Sequence, residues 1–402
     1  MPTTWSYEPW TLDPRVAFLN HGSYGACPRP VLERQAQWRS LMEAEPVRFM
    51  MLELPELLDA SRRRLASLLG ADAGDLAFVT NATSGVNAVL RSLDLKPGDE
   101  VVLTDHGYNA CRAAMEYVAQ RSGAVVRVAR VPFPLSEPQQ VLDAVIAQTT
   151  PRTKLALLDH VTSPTAVVFP IAQLVRELAA RGVDTLVDGA HAPGMLPVDL
   201  PALGAAYYTG NCHKWLCAPK GAAFLYARPD RQRGLTPVTV SHGYTTRRTD
   251  ASPFHDLFDW TGTHDPTALL CVGPAIDFLD SLTRGGLKAL MERQRALALR
   301  GRDLLCRRLA ITPPTPDGML GCMATLPLPP SRWSEMTPEP TGPRRSPLHP
   351  LQVALMSAGF QLPVFHWPRA PHLHLRISAP PYITEPHFEA LADELERLLQ
   401  AK

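Results

Sequence analysis

The chain has 402 residues, 45% of them hydrophobic, which allows two or three average domains or one large domain with a smaller one attached. Its 40 basic and 39 acidic residues are interleaved and leave a formal net charge of only +1. This balance gives no electrostatic basis for binding nucleic acid or an anionic membrane surface.

The seven cysteines have irregular spacings and form no CxxC pair. We therefore expect free thiols in a reducing compartment, without a disulfide framework or a metal site. The N-terminal sequence MPTTWSYEPW lacks the basic and apolar regions of a secretory signal, and no apolar run reaches membrane-spanning length. These features predict a soluble, cytoplasmic protein.

Residues 1–28 are irregular, and we interpret them as an N-terminal arm that contributes to the active site. Helical periodicity follows over 31–42 and over 57–69, where Gly70 ends the second helix and Arg62-Arg63-Arg64 is expected to form a solvated face. Seven short apolar runs bounded by turn residues then predict buried strands, at 76–79, 100–104, 124–129, 154–158, 185–187, 205–208 and 222–226. Because helical segments separate several of these runs, we predict an α/β fold with a mostly parallel seven-stranded sheet covered by helices.

The C-terminal third predicts a smaller α+β domain. A long helical region runs through Ala310, and residues 311–349 are rich in proline, with 329–347 expected to be an exposed, mobile loop. Further strands are predicted at 321–328, near 364 and at 372–378, with helices at 351–357 and from about 385. The predicted division is 1–28 for the arm, 29–270 for the large domain and 271–402 for the small domain.

The chemistry is concentrated between residues 183 and 226, where two predicted strands end in polar residues. One ends at Asp188, and the next leads to Lys214. A lysine amine that forms a Schiff base, with a carboxylate that keeps a pyridine nitrogen protonated, is what pyridoxal 5'-phosphate (PLP) requires. The alternative is that Asp188 only caps a strand end and Lys214 is a surface lysine. We favour the cofactor site over this alternative, because Asp188 and Lys214 are expected at the ends of adjacent strands.

A possible phosphate site follows the strand at 76–79. Ala82, Thr83 and Ser84 begin the next predicted helix, and free backbone N–H groups at a helix N-terminus bind anions. The alternative is an ordinary N-cap without a ligand. The nearby Lys214 segment favours a phosphate cradle.

Several motifs carry a resemblance to a known superfamily. Asp188-Gly189-Ala190-His191, followed by His213-Lys214, resembles the class V aminotransferases of PLP fold type I, which include the cysteine desulfurases. The closer resemblance is to isopenicillin N epimerase-like proteins, through the segments LNHGSYG (19–25), GNCHKW (210–215), TGTHDPT (261–267) and LRIS (375–378). These segments span nearly the whole chain, and they imply PLP as the cofactor.

The resemblance implies roles for further residues. His106 or Tyr108 would stack on the pyridine ring, Ser163 would lie near the cofactor and the substrate carboxylate, and His191 would lie near the phenolic oxygen of the cofactor. Thr209 or Asn211 would add a phosphate contact that His213 orients. The catalytic residues would be Lys214, Asp188, His191 and His106.

Substrate and subunit contacts follow from the same resemblance. Arg376 would bind the α-carboxylate of an amino acid, since a guanidinium binds a carboxylate in a bidentate manner. Asn20 and His21 would contact the substrate from the arm. Thr263 would reach the phosphate of the other subunit, which implies a homodimer.

The predicted reaction is PLP chemistry at Cα of an amino acid. The related cysteine desulfurases carry a nucleophilic cysteine on a loop before the carboxylate-binding arginine. Residues 361–374 contain no cysteine, so we do not expect persulfide chemistry of that kind. We favour an amino-acid epimerase, with His21 and Tyr24 as hypotheses for an acid on the opposite face. The alternatives are a C–S lyase or cysteine desulfhydrase, a class V aminotransferase, and a non-catalytic PLP-fold binding or regulatory protein.

Overall fold

The computed structural model describes residues 4–246, 252–337 and 348–400, so residues 338–347 of the predicted mobile loop lie outside the described residues. The strands are β1 (Ala17–Phe18), β2 (Leu76–Val79), β3 (Glu100–Thr104), β4 (Val125–Ala129), β5 (Thr153–Asp159), β6 (Asp184–Asp188), β7 (Tyr207–Asn211), β8 (Ala223–Ala227), β9 (Met323–Pro327), β10 (Phe360–Gln361), β11 (Val364–His366) and β12 (Leu373–Ser378). The α-helices are α1 (Arg29–Ala44), α2 (Pro46–Arg48), α3 (Leu54–Leu69), α4 (Ala82–Ser92), α5 (Asn109–Ser122), α6 (Gln139–Ile146), α7 (Ile171–Ala179), α8 (Leu200–Leu203), α9 (Pro253–Phe258), α10 (Thr267–Leu270), α11 (Val272–Ser281), α12 (Gly286–Arg308), α13 (Pro350–Ser357) and α14 (Glu385–Gln400).

A seven-stranded sheet forms the centre of the large domain, in the order β2-β8-β7-β6-β5-β3-β4. Its neighbouring pairs are parallel except those of β8, which is antiparallel to both β2 and β7. The inner strands are buried on both faces, which explains their nearly continuous apolar sequences. The prediction of a mostly parallel seven-stranded sheet covered by helices is confirmed.

The register of the sheet aligns the ends of three strands. Asp159 is the register partner of Asp188, and Asp188 is the register partner of Thr209. In a parallel sheet, partners on adjacent strands point to the same face and lie about 5 Å apart. The C-terminal ends of β5, β6 and β7 therefore bring polar side chains together.

Helix α3 shows why one surface prediction was wrong. Arg62 belongs to the predicted solvated triplet, but its side chain is only 1% exposed. It forms ion pairs with Asp59 and, at 2.5 Å, with Asp259. Arg62 lies on the buried face of α3, together with Leu58 and Leu65. The cost of burying its charge is offset by carboxylates from two segments.

The small domain contains an antiparallel sheet in the order β11-β12-β9 and the pair β1–β10, which is parallel. Its hydrophobic core extends from Leu297 to Leu398 and includes Tyr7, Trp10 and Leu19 of the arm. The core of the large domain, in contrast, continues through α11 to Met291 in the first half of α12. The two clusters meet within α12, where Met291 belongs to the first and Leu297 to the second, and the first cluster also includes Met319, Cys322 and Met323. The division of the chain at 270/271 stays a prediction.

Two further observations concern the cysteines and the apolar length of the helices. All seven cysteines are buried and none forms a disulfide. Within the described part of the chain, no helix combines the length and apolarity that crossing a membrane requires.

Candidate active site

A cavity of about 580 Å³ opens at the C-terminal ends of β5, β6 and β7, next to the N-terminus of α4. We call it the Lys214 cavity. This is the edge where open α/β sheets bind their ligands. Ten of the residues predicted for the site line it: Ala82, Thr83, Ser84, Tyr108, Ser163, Asp188, His191, Asn211, His213 and Lys214.

Lys214 follows β7 in a turn and extends its amine into this cavity. Its Nζ lies 3.3 Å from Nε2 of His191. Burial lowers the pKa of Lys214 to about 8, although the charge of Asp188 acts in the opposite direction. A substantial fraction of the amine is therefore unprotonated near neutral pH and available as a nucleophile or a base.

Asp188 is 4% exposed and held by two donors. The backbone N–H of Ala190 donates to Oδ1 at 3.0 Å, and the thiol of Cys111 donates to Oδ2 at 3.1 Å. Hydrogen bonds of this kind favour the charged form of a carboxylate. Cys111 comes from α5, so this helix fixes the orientation of the carboxylate.

A second carboxyl group, Asp159, also lines the Lys214 cavity. Burial raises the pKa of Asp159 well above its ordinary value, and the neighbouring charge of Asp188 adds to the effect. Two carboxylates on adjacent strand ends cannot both ionise at low cost. Its surroundings therefore favour the neutral form of Asp159.

The first turn of α4 closes another side of the cavity. The side chain of Asn81 caps the helix by accepting from the N–H of Ser84 at 2.8 Å, and Oδ1 of Asn211 accepts from the N–H of Ala82 at 2.8 Å. These contacts occupy the backbone N–H groups of Ala82 and Ser84. The contact from Asn211 also fixes the first turn of α4 relative to β7. The hydroxyl of Thr83 has no hydrogen bond to another described residue and remains available to an anion at the positive end of the helix.

Thr209 does not line the cavity, contrary to its predicted phosphate contact. Its hydroxyl is fully buried and donates to the backbone oxygen of Phe224 at 2.8 Å. A Cβ on Gly85 of α4 would lie 2.3 Å from this hydroxyl oxygen. The packing of α4 against β7 thus covers Thr209, and Asn211 is the residue of this strand that reaches the cavity.

Burial lowers the pKa of two histidines at the cavity, His191 and His213. His213 donates from Nδ1 to the backbone oxygen of Ala222 at 2.8 Å, and burial lowers its pKa to about 4. Burial also lowers the pKa of His191 well below its ordinary value, and the charge of Lys214 lowers it further. Nδ1 of His191 is buried without a hydrogen-bond partner among the described residues. An unpaired buried nitrogen at a cavity wall indicates a missing ligand atom.

His106, predicted to stack on the cofactor, is fully buried outside the cavity. Its Nε2–H donates to the backbone oxygen of Val131 at 3.1 Å, its Nδ1 contacts the hydroxyl of Thr165 at 2.6 Å, and its ring packs against Trp367. The loop after β3 directs the ring of His106 into the interior, where both ring nitrogens have hydrogen-bond partners. Tyr108, two residues later, lines the cavity instead.

His21 and Asn20 do not line the Lys214 cavity either. His21 is fully buried, donates from Nε2 to the backbone oxygen of Lys214 at 3.0 Å, and contacts the hydroxyl of Tyr382 at 2.8 Å through Nδ1. Burial lowers the pKa of His21 to about 3, so its imidazole does not act as a general acid. Its hydrogen bond instead holds the backbone of Lys214. The arm residues that do reach the cavity are Ser23 and Tyr24.

Arg376 lies where a neighbouring cavity meets the Lys214 cavity. Its guanidinium donates to the backbone oxygen of Ser163 and, at 2.8 Å, to the hydroxyl of Ser23, both of which line the Lys214 cavity. The side chain is buried, Nε has no partner among the described residues, and burial lowers its pKa to about 10. A buried cation without a carboxylate partner indicates a site for an anionic group.

Thr263 is exposed and belongs to neither of these cavities. Its predicted contact concerns a second subunit and stays a prediction.

Sequence reasoning missed several residues at the site. Asp159 ends a strand as Asp188 does, and that signal was available. Cys111 and Lys220 gave no signal, because they reach the site through a helix face and a turn. Beyond the ten residues named above, the residues that line the cavity are Ser23, Tyr24, Asn81, Asn87, Asp159, Val161, Ala190, Lys220 and Val238.

Comparisons with known proteins agree with this geometry. The family model for aminotransferase class-V matches residues 25–308. The chain is 37% identical over 399 residues to isopenicillin N epimerase of Streptomyces clavuligerus, with 96% of each chain covered. It is 38% identical over 412 residues to isopenicillin N epimerase of Amycolatopsis lactamdurans, with 98% of this chain and 99% of that one covered. A putative L-cysteine desulfhydrase of Oryza sativa is 32% identical over 335 residues, with 78% of this chain and 67% of the other covered.

Solved structures show the same fold. A cystine C–S lyase in complex with cysteine persulfide aligns with a TM-score of 0.77 and 21% identity over 94% of this chain and 97% of that chain. A cysteine desulfurase from Escherichia coli aligns with a TM-score of 0.76 and 21% identity over 98% of each chain.

The residues of the Lys214 cavity fit PLP. They provide a buried amine, a carboxylate held by two donors, a helix N-terminus with a free hydroxyl, and the unpaired nitrogen of His191. These groups correspond to the aldehyde, pyridine nitrogen, phosphate and phenolic oxygen of the cofactor. The chain belongs to the aminotransferase class-V family and is a PLP-dependent enzyme of PLP fold type I.

Proposed function

We propose that this enzyme epimerises an α-amino acid by removing and returning the proton at Cα. The observation that carries the proposal is the buried amine of Lys214, whose pKa of about 8 places it near the pH at which it must exchange protons. Nearly full-length similarity to two isopenicillin N epimerases supports epimerisation as the outcome.

We assign the cofactor contacts on the basis of cavity position. Asp188 pairs with the pyridine nitrogen, while Ala82, Thr83 and Ser84 surround the phosphate, with Asn211 and His213 supporting them. Of the two residues predicted to stack on the ring, we assign Tyr108 to this position because it lines the cavity, and His191 and Ser163 lie beside the reacting end. When bound through Lys214, PLP supplies a protonated ring that accepts electrons from Cα.

The protein's own groups then control binding and proton transfer. Arg376 binds the α-carboxylate through its guanidinium, which is buried and has no carboxylate partner among the described residues. Nζ of Lys214 would accept the α-proton of the bound amino acid. The neutral His191, 3.3 Å from Nζ, keeps this amine in place without adding a second positive charge.

Epimerisation needs a second group to return the proton on the other face. Of the two residues predicted as candidates, His21 does not fit this role, because its ring is fully buried and donates to the backbone oxygen of Lys214. Tyr24 lines the cavity and is 71% exposed, so its hydroxyl can exchange protons with solvent. We assign Tyr24 as the second acid–base group.

The experiment combines isotope exchange with chiral analysis. The holoenzyme is incubated with L- and D-amino acids in deuterated water, and deuterium at Cα and enantiomer ratio are followed together. Tyr24→Phe is expected to slow conversion between enantiomers by roughly 100-fold or more, the usual contribution of a general acid or base. Exchange through Lys214 should continue for the enantiomer whose α-proton faces the lysine.

Tyr117→Phe is the matched control, because Tyr117 is an exposed tyrosine of α5 that does not line the cavity. Equal loss of exchange and conversion in Tyr24→Phe would contradict the assignment of Tyr24. Absence of α-deuterium with every amino acid tested would contradict the proposed function itself.

A C–S lyase is the second candidate function. It is supported by similarity to L-cysteine desulfhydrases, including 31% identity over 335 residues to a probable chloroplastic enzyme of Arabidopsis thaliana. Sulfide and pyruvate released from L-cysteine would support this reaction, whereas release of a keto acid with loss of the aldehyde form of PLP would indicate transamination.

We further propose that the enzyme is a cytoplasmic homodimer in which the exposed Thr263 segment reaches the phosphate site of the other subunit. The exposed position of Thr263 supports this arrangement. Sedimentation of the holoenzyme, with and without Thr263→Ala, tests the assembly, and the cofactor affinity of the variant tests the contact.

A further inference from the structure

We propose that a second cavity, separated from the Lys214 cavity by Arg376 and Ser163, binds the side chain of the substrate and selects α-amino acids with long, largely apolar side chains. We call it the Trp367 cavity. The inference rests on the proposed function, since the amino acid must first be held at Lys214. It concerns which amino acids enter, and not the reaction that follows.

The two cavities are adjacent and share part of their walls. Ser23, Tyr108 and Ser163 line both of them, and Arg376, which lines the Trp367 cavity, donates to both serines. An amino acid whose carboxylate binds Arg376 therefore has Cα at the junction. Its side chain can extend into the second cavity while its amino group remains on the side of Lys214.

The size of the Trp367 cavity exceeds what a small substrate needs. Its volume of about 460 Å³ lies within the range of roughly 300–1,000 Å³ that holds drug-sized ligands. The CH₂–SH group of cysteine would leave most of this volume to water. A longer side chain would displace that water from the apolar walls, which favours binding.

Aromatic and proline side chains form the apolar part of the walls, beside polar residues such as Asn109 and Arg112. The apolar members are Pro164 and, from β11 and the residues directly before and after it, Pro363, Phe365, Trp367 and Pro368. The ring of Trp367 packs edge-on against His106 and Phe133, with centroid distances of 4.5 and 5.3 Å. This packing fixes the indole as a rigid wall, so the fully buried His106 acts in shaping the second cavity.

The polar groups of the Trp367 cavity are largely paired with protein atoms. Arg112 donates to Glu116 at 2.9 Å, Asp105 accepts from the N–H of Val131 at 2.9 Å, and His366 contacts the backbone oxygen of Ser334 at 2.9 Å. No isolated charge among these groups calls for an ionic side chain. The expected ligand is therefore an apolar chain that tolerates a neutral polar end.

The test compares a short and a long amino acid, L-alanine and Nε-acetyl-L-lysine, in the deuterium exchange assay with holoenzyme. We expect kcat/KM for Nε-acetyl-L-lysine to exceed that for L-alanine by about tenfold or more, the scale on which apolar pockets discriminate side-chain size. Asn109→Trp, which places a bulky ring in the lining of the second cavity, should lower this ratio by about tenfold.

Binding is measured separately from turnover in the Lys214→Ala background, where the proposed base is absent. Calorimetry should give a Kd for Nε-acetyl-L-lysine that Asn109→Trp raises by about tenfold. Arg369→Ala is the control, because Arg369 is an exposed residue of the same segment that does not line the cavity. It should change neither the ratio nor the Kd.

The outcomes separate the two proposals. Exchange of L-alanine with no preference for the longer amino acid, or a preference that Asn109→Trp leaves unchanged, would overturn the role of the Trp367 cavity while the proposed function stands. No exchange with any amino acid would contradict the proposed function. A Kd that nevertheless depends on side-chain length and on Asn109 would still support the cavity as a side-chain site.

Discussion

The protonation of Lys214 depends on its surroundings more than on its residue type. Burial among Asp188, His191 and Arg376 lowers its pKa to about 8, where an exposed lysine would titrate above 10. Arg376 contributes to this lowering, so the group proposed to bind the substrate carboxylate also affects the base. A bound carboxylate would partly neutralise Arg376 and thereby raise the proton affinity of Lys214 when the base is required.

We predict that the rate of PLP incorporation into the apoenzyme rises with pH and levels off above about 8, the pKa of Lys214. Only the unprotonated amine attacks the aldehyde, and its fraction increases tenfold per pH unit below the pKa. Stopped-flow absorbance of the bound cofactor gives the rate. A profile with its midpoint above 10 would show that Lys214 is not buried as described, and Lys214→Ala should give no covalently bound cofactor at any pH.

Asp159 and Asp188 are expected to tolerate the same substitution very differently. Burial and, secondarily, the charge of Asp188 raise the pKa of Asp159, which favours its neutral form. Asp159→Asn preserves a neutral, isosteric group and should retain activity within about tenfold, whereas Asp188→Asn removes the charge proposed to face the ring and should cost roughly 100-fold or more.

The measurement is α-proton exchange of the holoenzyme, with bound PLP quantified for each variant. Asp159→Ala serves as a further variant that removes the hydrogen-bonding group and leaves a void. A loss of similar size in Asp159→Asn and Asp188→Asn would show that both carboxylates must ionise.

At the scale of elements, the site depends on close packing between α4 and β7. Gly85 permits this approach, since any Cβ there would lie 2.3 Å from the hydroxyl oxygen of Thr209. The same helix presents Ala82, Thr83 and Ser84 to the Lys214 cavity one turn earlier. Displacement of α4 would therefore move the proposed phosphate contacts together.

Gly85→Ala is predicted to destabilise the protein by about 1–3 kcal/mol, the usual cost of inserting a methyl group into a packed interior. It should also weaken PLP binding by about tenfold, because a misplaced first turn loses about one hydrogen bond of charge-assisted strength. Denaturant unfolding and fluorescence titration with PLP measure the two effects.

Gly318→Ala is the matched control, since a Cβ at this position would meet nothing within 4 Å. If Gly85→Ala lost stability but bound PLP normally, α4 could shift without disturbing the phosphate site.

At the scale of the whole molecule, the N-terminal arm connects the small domain to the active site. Trp10 packs against Phe278 of α11 and against Tyr382, with centroid distances of 5.5 and 5.2 Å. Further along the arm, His21 joins the hydroxyl of Tyr382 to the backbone oxygen of Lys214. The position of Lys214 therefore depends on how the arm packs into the second core.

We predict that Trp10→Ala lowers the free energy of unfolding by about 3–5 kcal/mol, the range for truncating a buried aromatic residue. It should also broaden the cofactor absorbance band and reduce α-proton exchange, because the arm no longer supports Lys214 firmly. Thr11→Ala, an exposed neighbour, should have little effect on either property. Lost stability with unchanged exchange would show that the arm and the site are independent.

The sequence by itself determined the elements and the chemical centre. Apolar runs bounded by glycine and proline identified the seven strands, because buried parallel strands need continuous apolar sequence. Polar residues after those runs placed Asp188 and Lys214 at one edge of the sheet. Motifs spread over nearly the whole chain indicated the family and its cofactor.

Only the tertiary structure decided which side chains face the cavity. His106 and Tyr108 lie two residues apart in a loop, and no periodicity in the sequence tells which ring turns inward. Thr209 and Asn211 belong to a strand buried on both faces, where alternation of polar and apolar residues is absent. Arg62 is buried because carboxylates from two segments approach it, a compensation that becomes visible only after the chain has folded. Local sequence sets backbone conformation, whereas the direction and partners of a polar side chain depend on packing between residues distant in the chain.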